Sequence, residues 1–290
     1  MGKFSIGVIS DTFGLGLREG ISISKQLGAA GVQIYAQDEL SIELSIAERK
    51  DILSFIKSNN LVVSAVCGQI SGHGLCIAEE NPDKIEILTK VMNLTMDLDC
   101  NIVTTHIGVI PEDKNDPMWK IMLEACQQLS EYASSLGAYY AIETGPEKAA
   151  VLKDFLDNIP TTGMKVNLDP ANLVMVTDDD PVEAVYTLKD YIVHTHAKDG
   201  IMNKYLGPGH VYTAFAEGGV EALLSLSGSF TETTIGQGNV RWTEYLKALD
   251  DVGYNGFLTI EREGADDPLG DVKAGIEFLN MKLAELGFDI

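Results

Sequence analysis

Basic residues are scarce in this 290-residue chain: Lys and Arg number 21 against 43 Asp and Glu, for a formal charge of −22. A surface field of that sign repels phosphate backbones, so nucleic acid is not expected as a partner. The acidity itself reads as a means of staying soluble. Lys198, Lys204 and Arg241 are nevertheless enough to hold one anionic group, which leaves a phosphorylated sugar open. Long apolar runs are missing as well, since no stretch approaches the roughly 18 residues that a membrane span needs. The chain passes straight into a strand-like run after Met1-Gly2-Lys3, with no signal-peptide pattern, and position 6 is Ile where a myristoylation signal wants Ser or Thr. The four cysteines, Cys67, Cys76, Cys100 and Cys126, show no C-x-x-C spacing. A reduced, cytoplasmic protein without a membrane partner is the expectation. Cys67 falls at a strand end and is read as a small buried thiol, with a site-facing role as the alternative.

What is present is an eightfold alternation. Strand-like segments lie near 4–10, 30–36, 61–68, 102–107, 139–144, 165–169, 192–197 and 256–262, with helical patterns between them. Ser45 to Asn60 carries Ile46, Ile52, Leu53 and Ile56 at helical spacing, and Pro117 to Leu136 carries Ile121, Met122, Ala125, Leu129 and Tyr132. The last helix places Val272, Ile276, Leu279 and Leu283 on one stripe, as barrel packing requires. Eight strands alternating with helices predict a parallel sheet, and the count favours a closed (β/α)8 TIM barrel, a fold that takes about 250 residues. An open doubly wound sheet would announce a glycine-rich phosphate turn after its first strand. Asp11-Thr-Phe-Gly-Leu-Gly16 has neither the G-x-G-x-x-G spacing nor an evident helix start in register. A single domain over 1–290 is expected.

Four consecutive strands, the fifth to the eighth, end in residues able to bind a hard metal ion: Glu143, Asp169, His196 and Glu261. Alternate residues of a barrel strand point to the lumen and to the helices. If Ile142, Leu168, Thr195 and Ile260 face the helices, the four candidate ligands face inward in every strand. Gln33, Tyr35 and His106 add polar groups inside the barrel. Of the two neighbouring histidines, His196 sits at the rim, while His194 lies about 7 Å deeper, two residues at roughly 3.3 Å each. His196 is therefore taken as the ligand and His194 as a hydrogen-bonded lumen residue. One connection is unusually long: about 40 residues separate the seventh strand from the helix expected near Val240. The segment 200–239, rich in Gly-Pro and Gly-Gly pairs and with a short helix at Val220 to Leu226, is read as an insertion placed to act as a lid or subunit contact. Homo-oligomerisation thus stays open.

Five motifs, Ile142-Glu-Thr-Gly145, Asn167-Leu-Asp-Pro-Ala-Asn172, His194-Thr-His-Ala-Lys-Asp199, Gly236-Gln-Gly-Asn-Val-Arg-Trp242 and Gly253-Tyr-Asn-Gly-Phe-Leu-Thr-Ile-Glu-Arg262, occur in this order. Over nearly its whole length the chain resembles the xylose isomerase-like TIM barrels of the sugar phosphate isomerase/epimerase type, which include ketose 3-epimerases and inosose-processing enzymes. The resemblance implies that Glu143, Asp169, His196 and Glu261 bind one divalent ion, Mn²⁺, Co²⁺, Mg²⁺ or Zn²⁺. Three carboxylates and an imidazole suit such a cation and leave room for two substrate oxygens. Without one, three converging carboxylates would repel and at least one would take up a proton. The resemblance further implies a small sugar or keto-sugar substrate that chelates the ion through adjacent carbonyl and hydroxyl oxygens, with Glu143 and Glu261 as the acid/base pair of an isomerase or epimerase working through an enediolate.

Departures from the family narrow the reading. Ketose 3-epimerases place a histidine where this chain has Asn172, an arginine where it has Met202, and a second glutamate where it has Ala149, which points away from that activity in the narrow sense. Asn172, Lys198, His106, Gln33 and Tyr35 are the candidate substrate contacts. Lys198 is expected either at the rim or facing outward, paired with a helix acid. Two other functions use the same site: a lyase or dehydratase acting on a keto-sugar, inosose or oxidised glycoside, and a non-catalytic metal-dependent sugar-binding barrel. The related endonuclease IV branch needs more than the five histidines present and a basic DNA face.

Overall fold

Alternation of short apolar strands with longer helices carries through the whole chain, whose computed structural model describes residues 3–226 and 228–288. In order these are β1 (Ser5–Ile9), α1 (Leu17–Leu27), β2 (Gly31–Tyr35), α2 (Ile46–Ser58), β3 (Val62–Cys67), α3 (Asn81–Asp97), β4 (Ile102–Thr105) and α4 (Pro117–Leu136). There follow β5 (Tyr139–Glu143), α5 (Ala149–Leu156), β6 (Met164–Leu168), the one-turn α6 (Pro170–Asn172), α7 (Pro181–Leu188) and β7 (Ile192–Ala197). The chain ends with β8 (Asp199–Met202), α8 (Pro208–Ser225), β9 (Phe230–Thr233), α9 (Trp242–Asp251), β10 (Phe257–Ile260) and α10 (Pro268–Glu285). Eight strands close into a parallel barrel in the order β1-β10-β7-β6-β5-β4-β3-β2, while β8 and β9 pair separately and antiparallel. The fold is thus a single (β/α)8 TIM barrel. Among the described residues no helix is long and apolar enough to cross a membrane.

The period-two pattern explains the two sides of the barrel wall. Val32, Ile34, Val66, Val103, Ile142, Leu168 and Ile260 join one hydrophobic core with Ile56, Leu88, Met122, Leu129, Leu152, Leu246 and Leu279 of the helices. Helix α4 begins where Asp116 accepts from the Met118 N–H and Pro117 occupies the first turn, and it ends at Gly137, whose φ of 66° is left-handed. Helix α2 starts in a Ser45/Glu48 capping box. Its stripe buries Ile52 and Ile56, but Ile46 is 61% exposed, because it stands in the first turn before the helix reaches the barrel. The α10 stripe of Val272, Ile276, Leu279 and Leu283 is buried throughout.

Three local expectations are corrected. A helix does follow Gly16: the N–H of Leu17 is capped by Glu39 Oε1 at 2.9 Å, a partner 22 residues away that no local cap signal reveals. Helix α9 starts at Trp242 rather than near Val240. The helix expected at Val220 to Leu226 is longer, spanning Pro208–Ser225 with a break in helical geometry at Gly219, and the β8–β9 pair beside it was not anticipated.

Asp199 ties the segment between β7 and α9 to the barrel. Buried after β7, it accepts from the N–H of Gly200 (2.9 Å) and Val240 (3.1 Å) at Oδ1, and from the N–H of Gly236 and the indole of Trp242 (both 2.9 Å) at Oδ2. Gly238 has to be glycine here, since a Cβ would meet the Asp199 carboxylate and the Gly200 nitrogen. Asp199→Asn would turn one acceptor oxygen into a donor facing buried N–H groups. It is expected to cost about 2 kcal/mol or more in chemical denaturation, with faster amide exchange concentrated in residues 199–241. Unchanged exchange in that segment would show that it is anchored elsewhere.

Candidate metal centre and its cavity

Glu143 is the last residue of β5, Asp169 follows β6, His196 lies in β7 and Glu261 follows β10, and these four strands are neighbours in the barrel. All four side chains are buried, and one ligand atom from each lies within 4.8 Å of the other three. His196 Nδ1 is the hub, 3.1 Å from Glu261 Oε2, 3.4 Å from Asp169 Oδ2 and 3.6 Å from Glu143 Oε1.

The surrounding groups fix each member. Asp169 Oδ1 accepts from the Ala171 and Asn172 N–H groups at 2.8 and 2.9 Å, capping α6, which leaves Oδ2 buried without a hydrogen bond and turned toward the cluster. Glu143 accepts from Asn172 Nδ2 at 3.0 Å and from Asn167 Nδ2 at 3.3 Å. Gln33 Oε1 lies 3.2 Å from His196 Nε2 and 2.9 Å from His194 Nε2, while its Nε2 donates to Thr104 at 3.3 Å. An amide oxygen only accepts, so Gln33 favours a proton at Nε2 of each histidine, although Asn167 Nδ2 also lies 3.1 Å from His196 Nε2, and the Nδ1 edge of His196 faces the three carboxylates. Lys198 is buried and donates to Glu261 Oε2 at 3.0 Å and Glu263 Oε2 at 3.1 Å, with Glu232 at 3.5 Å.

The electrostatics follow from burial and proximity. Burial opposes ionisation of Glu261, yet Lys198 and His196 outweigh it and hold that carboxyl well below its usual range. For Glu143 burial is likewise outweighed, by His106 and His196, and the carboxyl sits below its usual value. Burial wins at Asp169, which is raised. Burial lowers His196, but Glu261 and Glu143 more than compensate, and the metal-free imidazole keeps its proton well above the ordinary range. Burial and His196 push His194 well below the ordinary range, as befits a neutral lumen histidine. A cluster of three carboxylates around one protonated imidazole, with an orphaned carboxylate oxygen, is the donor set that a divalent cation satisfies, and the cluster could bind one.

The cluster opens into a cavity of about 360 Å³. Tyr35, His106, Asn172 and Lys198, all expected as substrate contacts, line it together with Glu143 and Glu261. Gln33 does not: it is 1% exposed and lies beneath His196, so the expectation that it touches substrate is replaced by the positioning of a ring. The free thiol of Cys67 is buried but also borders the cavity. Several groups of the site were missed. Asn167, buried beside Glu143, shares inward parity with Asp169, so the alternation rule could have found it. Tyr212, Phe215, Phe230 and Glu232 come from the segment after β7, where no strand parity applies. Tyr212 approaches because Gly145, at φ +136°, has no Cβ to meet the phenol and Asn172, and its ring lies 6.0 Å from that of His106.

Comparison with known proteins places this geometry. The xylose isomerase-like TIM barrel family profile matches residues 21–282. An uncharacterized protein of Methanocaldococcus jannaschii is 24% identical over 216 residues, which cover 69% of this chain and 65% of that relative, just under two thirds of its length. Among solved structures, a xylose isomerase domain protein from Planctomyces limnophilus superposes with a TM-score of 0.79 at 22% identity, covering 98% of both chains. A D-tagatose 3-epimerase-like protein gives 0.73 at 18% identity, covering 98% of this chain and 100% of the other. The probable 3-DHS dehydratase of petrobactin synthesis from Bacillus anthracis gives 0.72 at 17% identity, covering 96% and 99%. At these identities the likeness to solved structures is one of fold.

A cation entering the cluster must displace the proton that His196 holds when the site is metal-free. Mn²⁺ binding is therefore expected to release about one proton and to tighten about tenfold per pH unit on the acid side of that imidazole's pKa. Calorimetry in two buffers of different ionisation enthalpy reads this directly, and a binding heat independent of the buffer would count against His196 as a ligand.

Proposed function

The chain belongs to the xylose isomerase-like TIM barrel family, and we propose that it is a cytoplasmic, divalent-metal-dependent isomerase or epimerase of a small sugar or sugar derivative, with Glu143, Asp169, His196 and Glu261 holding the ion. The observation that carries this reading is the convergence of those four side chains, buried and within 4.8 Å of one another, with Glu143 and Glu261 lining a cavity. A bound cation supplies positive charge to the substrate's carbonyl and hydroxyl oxygens and so acidifies the neighbouring C–H.

The chain's own residues do the rest. Glu143 and Glu261 stand on strands separated by two others in the barrel, so they reach the cavity from different sides. One removes the proton next to the carbonyl and the other returns it. Delivery to the opposite face of the same carbon gives an epimer, and delivery to the adjacent carbon gives the aldose or ketose isomer. Lys198 keeps Glu261 ionised and in place. Asn172 and Asn167 orient Glu143, and His106 Nε2, 3.6 Å from Glu143 Oε1, stands where it can exchange a proton with it. Asn172 thus serves the glutamate as well as the cavity wall. Tyr35, at the end of β2, and His106, just after β4, are the substrate contacts.

The test is deuterium wash-in from D2O into ketoses and keto-glycosides with Mn²⁺-loaded protein, read by mass spectrometry. The wild type is expected to exchange one carbon-bound hydrogen. Glu261→Gln should slow this about 10²–10⁴-fold and weaken metal retention while leaving the circular-dichroism spectrum unchanged. Loss of a leaving group instead of simple exchange would assign a lyase. Full exchange in the variant would remove Glu261 from the chemistry, and a wild type that holds the ion and binds sugar without exchange would be a binding barrel.

A further inference from the structure

The cavity has two unlike parts. Its floor is the carboxylate cluster, but Met175, Val176, Val211, Phe215 and Phe230 supply an apolar wall. The residues come from the turn after α6, and from α8 and β9, which each pack on that turn outside the barrel strands. A hydrophobic wall beside a chelating floor suits a ligand with one polar and one apolar end. The volume of about 360 Å³ falls within the roughly 300–1,000 Å³ of pockets that take drug-sized ligands.

Charge accounting decides a second property. Among the described residues lining the cavity, Glu143, Glu232, Glu261 and Glu263 face two cations, Lys198 and Arg262, so four negative charges meet two positive. Neither cation is free. Lys198 is shared among Glu261, Glu263 and Glu232, and Arg262 donates to Asp271 Oδ2 and Glu232 Oε1, both at 2.9 Å. Asp169, just beneath, adds a further carboxylate that a divalent ion would have to offset, and a phosphate dianion would find no unpaired donor cation. Lys204 and Arg241, the other cations that might have held an anion, do not line the cavity.

We propose that the site takes an uncharged keto-sugar bearing an apolar substituent, with the hydroxy-ketone end at the carboxylate floor and the substituent against Val211, Phe215, Phe230 and Met175, and that it rejects phosphorylated sugars. The polar half of this proposal rests on the function proposed above. The apolar wall and the paired cations are independent of it.

Calorimetric titration of the Mn²⁺-loaded full chain tests it with two matched pairs of probes: phenyl against methyl 3-keto-β-D-glucoside, and fructose 6-phosphate against fructose. The phenyl probe should bind at least about tenfold more tightly than the methyl probe, and fructose 6-phosphate more weakly than fructose. Phe215→Ala should move the phenyl-to-methyl affinity ratio toward unity. Equal affinities for the two glucosides, a ratio untouched by Phe215→Ala, or tighter binding of the phosphate would each overturn the proposal. Deuterium wash-in on the same probes separates the two readings. Phenyl preference without exchange would leave the substituent site standing and remove the proton-transfer function, while exchange with equal affinities would do the reverse.

Discussion

Three carboxylates held out of water around one imidazole repel one another, and relieving that repulsion organises the whole rim of the barrel. Each acid has a dedicated neighbour: Lys198 for Glu261, Asn172 and Asn167 for Glu143, and the first N–H groups of α6 for Asp169. Asp169 Oδ2 is fully buried and left with no hydrogen bond. Gln33 sets the proton of His196 from below, so even the lumen is polar where barrels of this kind are usually filled by branched aliphatic side chains. The cluster is costly as a bare fold element. Its arrangement makes sense as a site held ready for positive charge.

The same charges recruit the segment after β7. Lys198 reaches Glu232 on β9, and Arg262, next to Glu261, pairs with Glu232 as well, so the segment is fastened to the rim by the residues that flank the candidate ligands. Asp199, three residues after His196, provides the second fastening through four donors. The barrel strands therefore contribute the polar floor, and the segment after β7 contributes Val211, Tyr212, Phe215 and Phe230 to the walls. Polar floor and apolar wall sit on different parts of the chain, as in other folds whose loops vary over a fixed scaffold.

The barrel was legible because its signals are local and repeat eight times. The expected span of α4 coincides with the observed Pro117–Leu136, and the strand spans agree to within two residues at each end. Strand parity also carried information across the sheet, since Ile142, Leu168 and Ile260 are buried in the helix-facing core while the residue following each points to the cluster. Parity was silent on depth: Gln33 and Tyr35 share a face, yet one lies beneath His196 and the other lines the cavity. It was silent too on Lys198, whose inward course follows from Glu232 of β9 and from Glu261 and Glu263 after β10, which surround it.

By itself, then, the amino-acid sequence determined which residues alternate between lumen and helices, and that four metal-capable side chains end four successive strands. The period of two and the helical period are properties of neighbouring residues, and they survive without any knowledge of the fold. Tertiary structure alone decided that those four ends meet within 4.8 Å of one another, that Glu39 caps α1, and that the two cations of the cavity are already paired. These depend on contacts between residues 22 or more positions apart, whose geometry only barrel closure supplies.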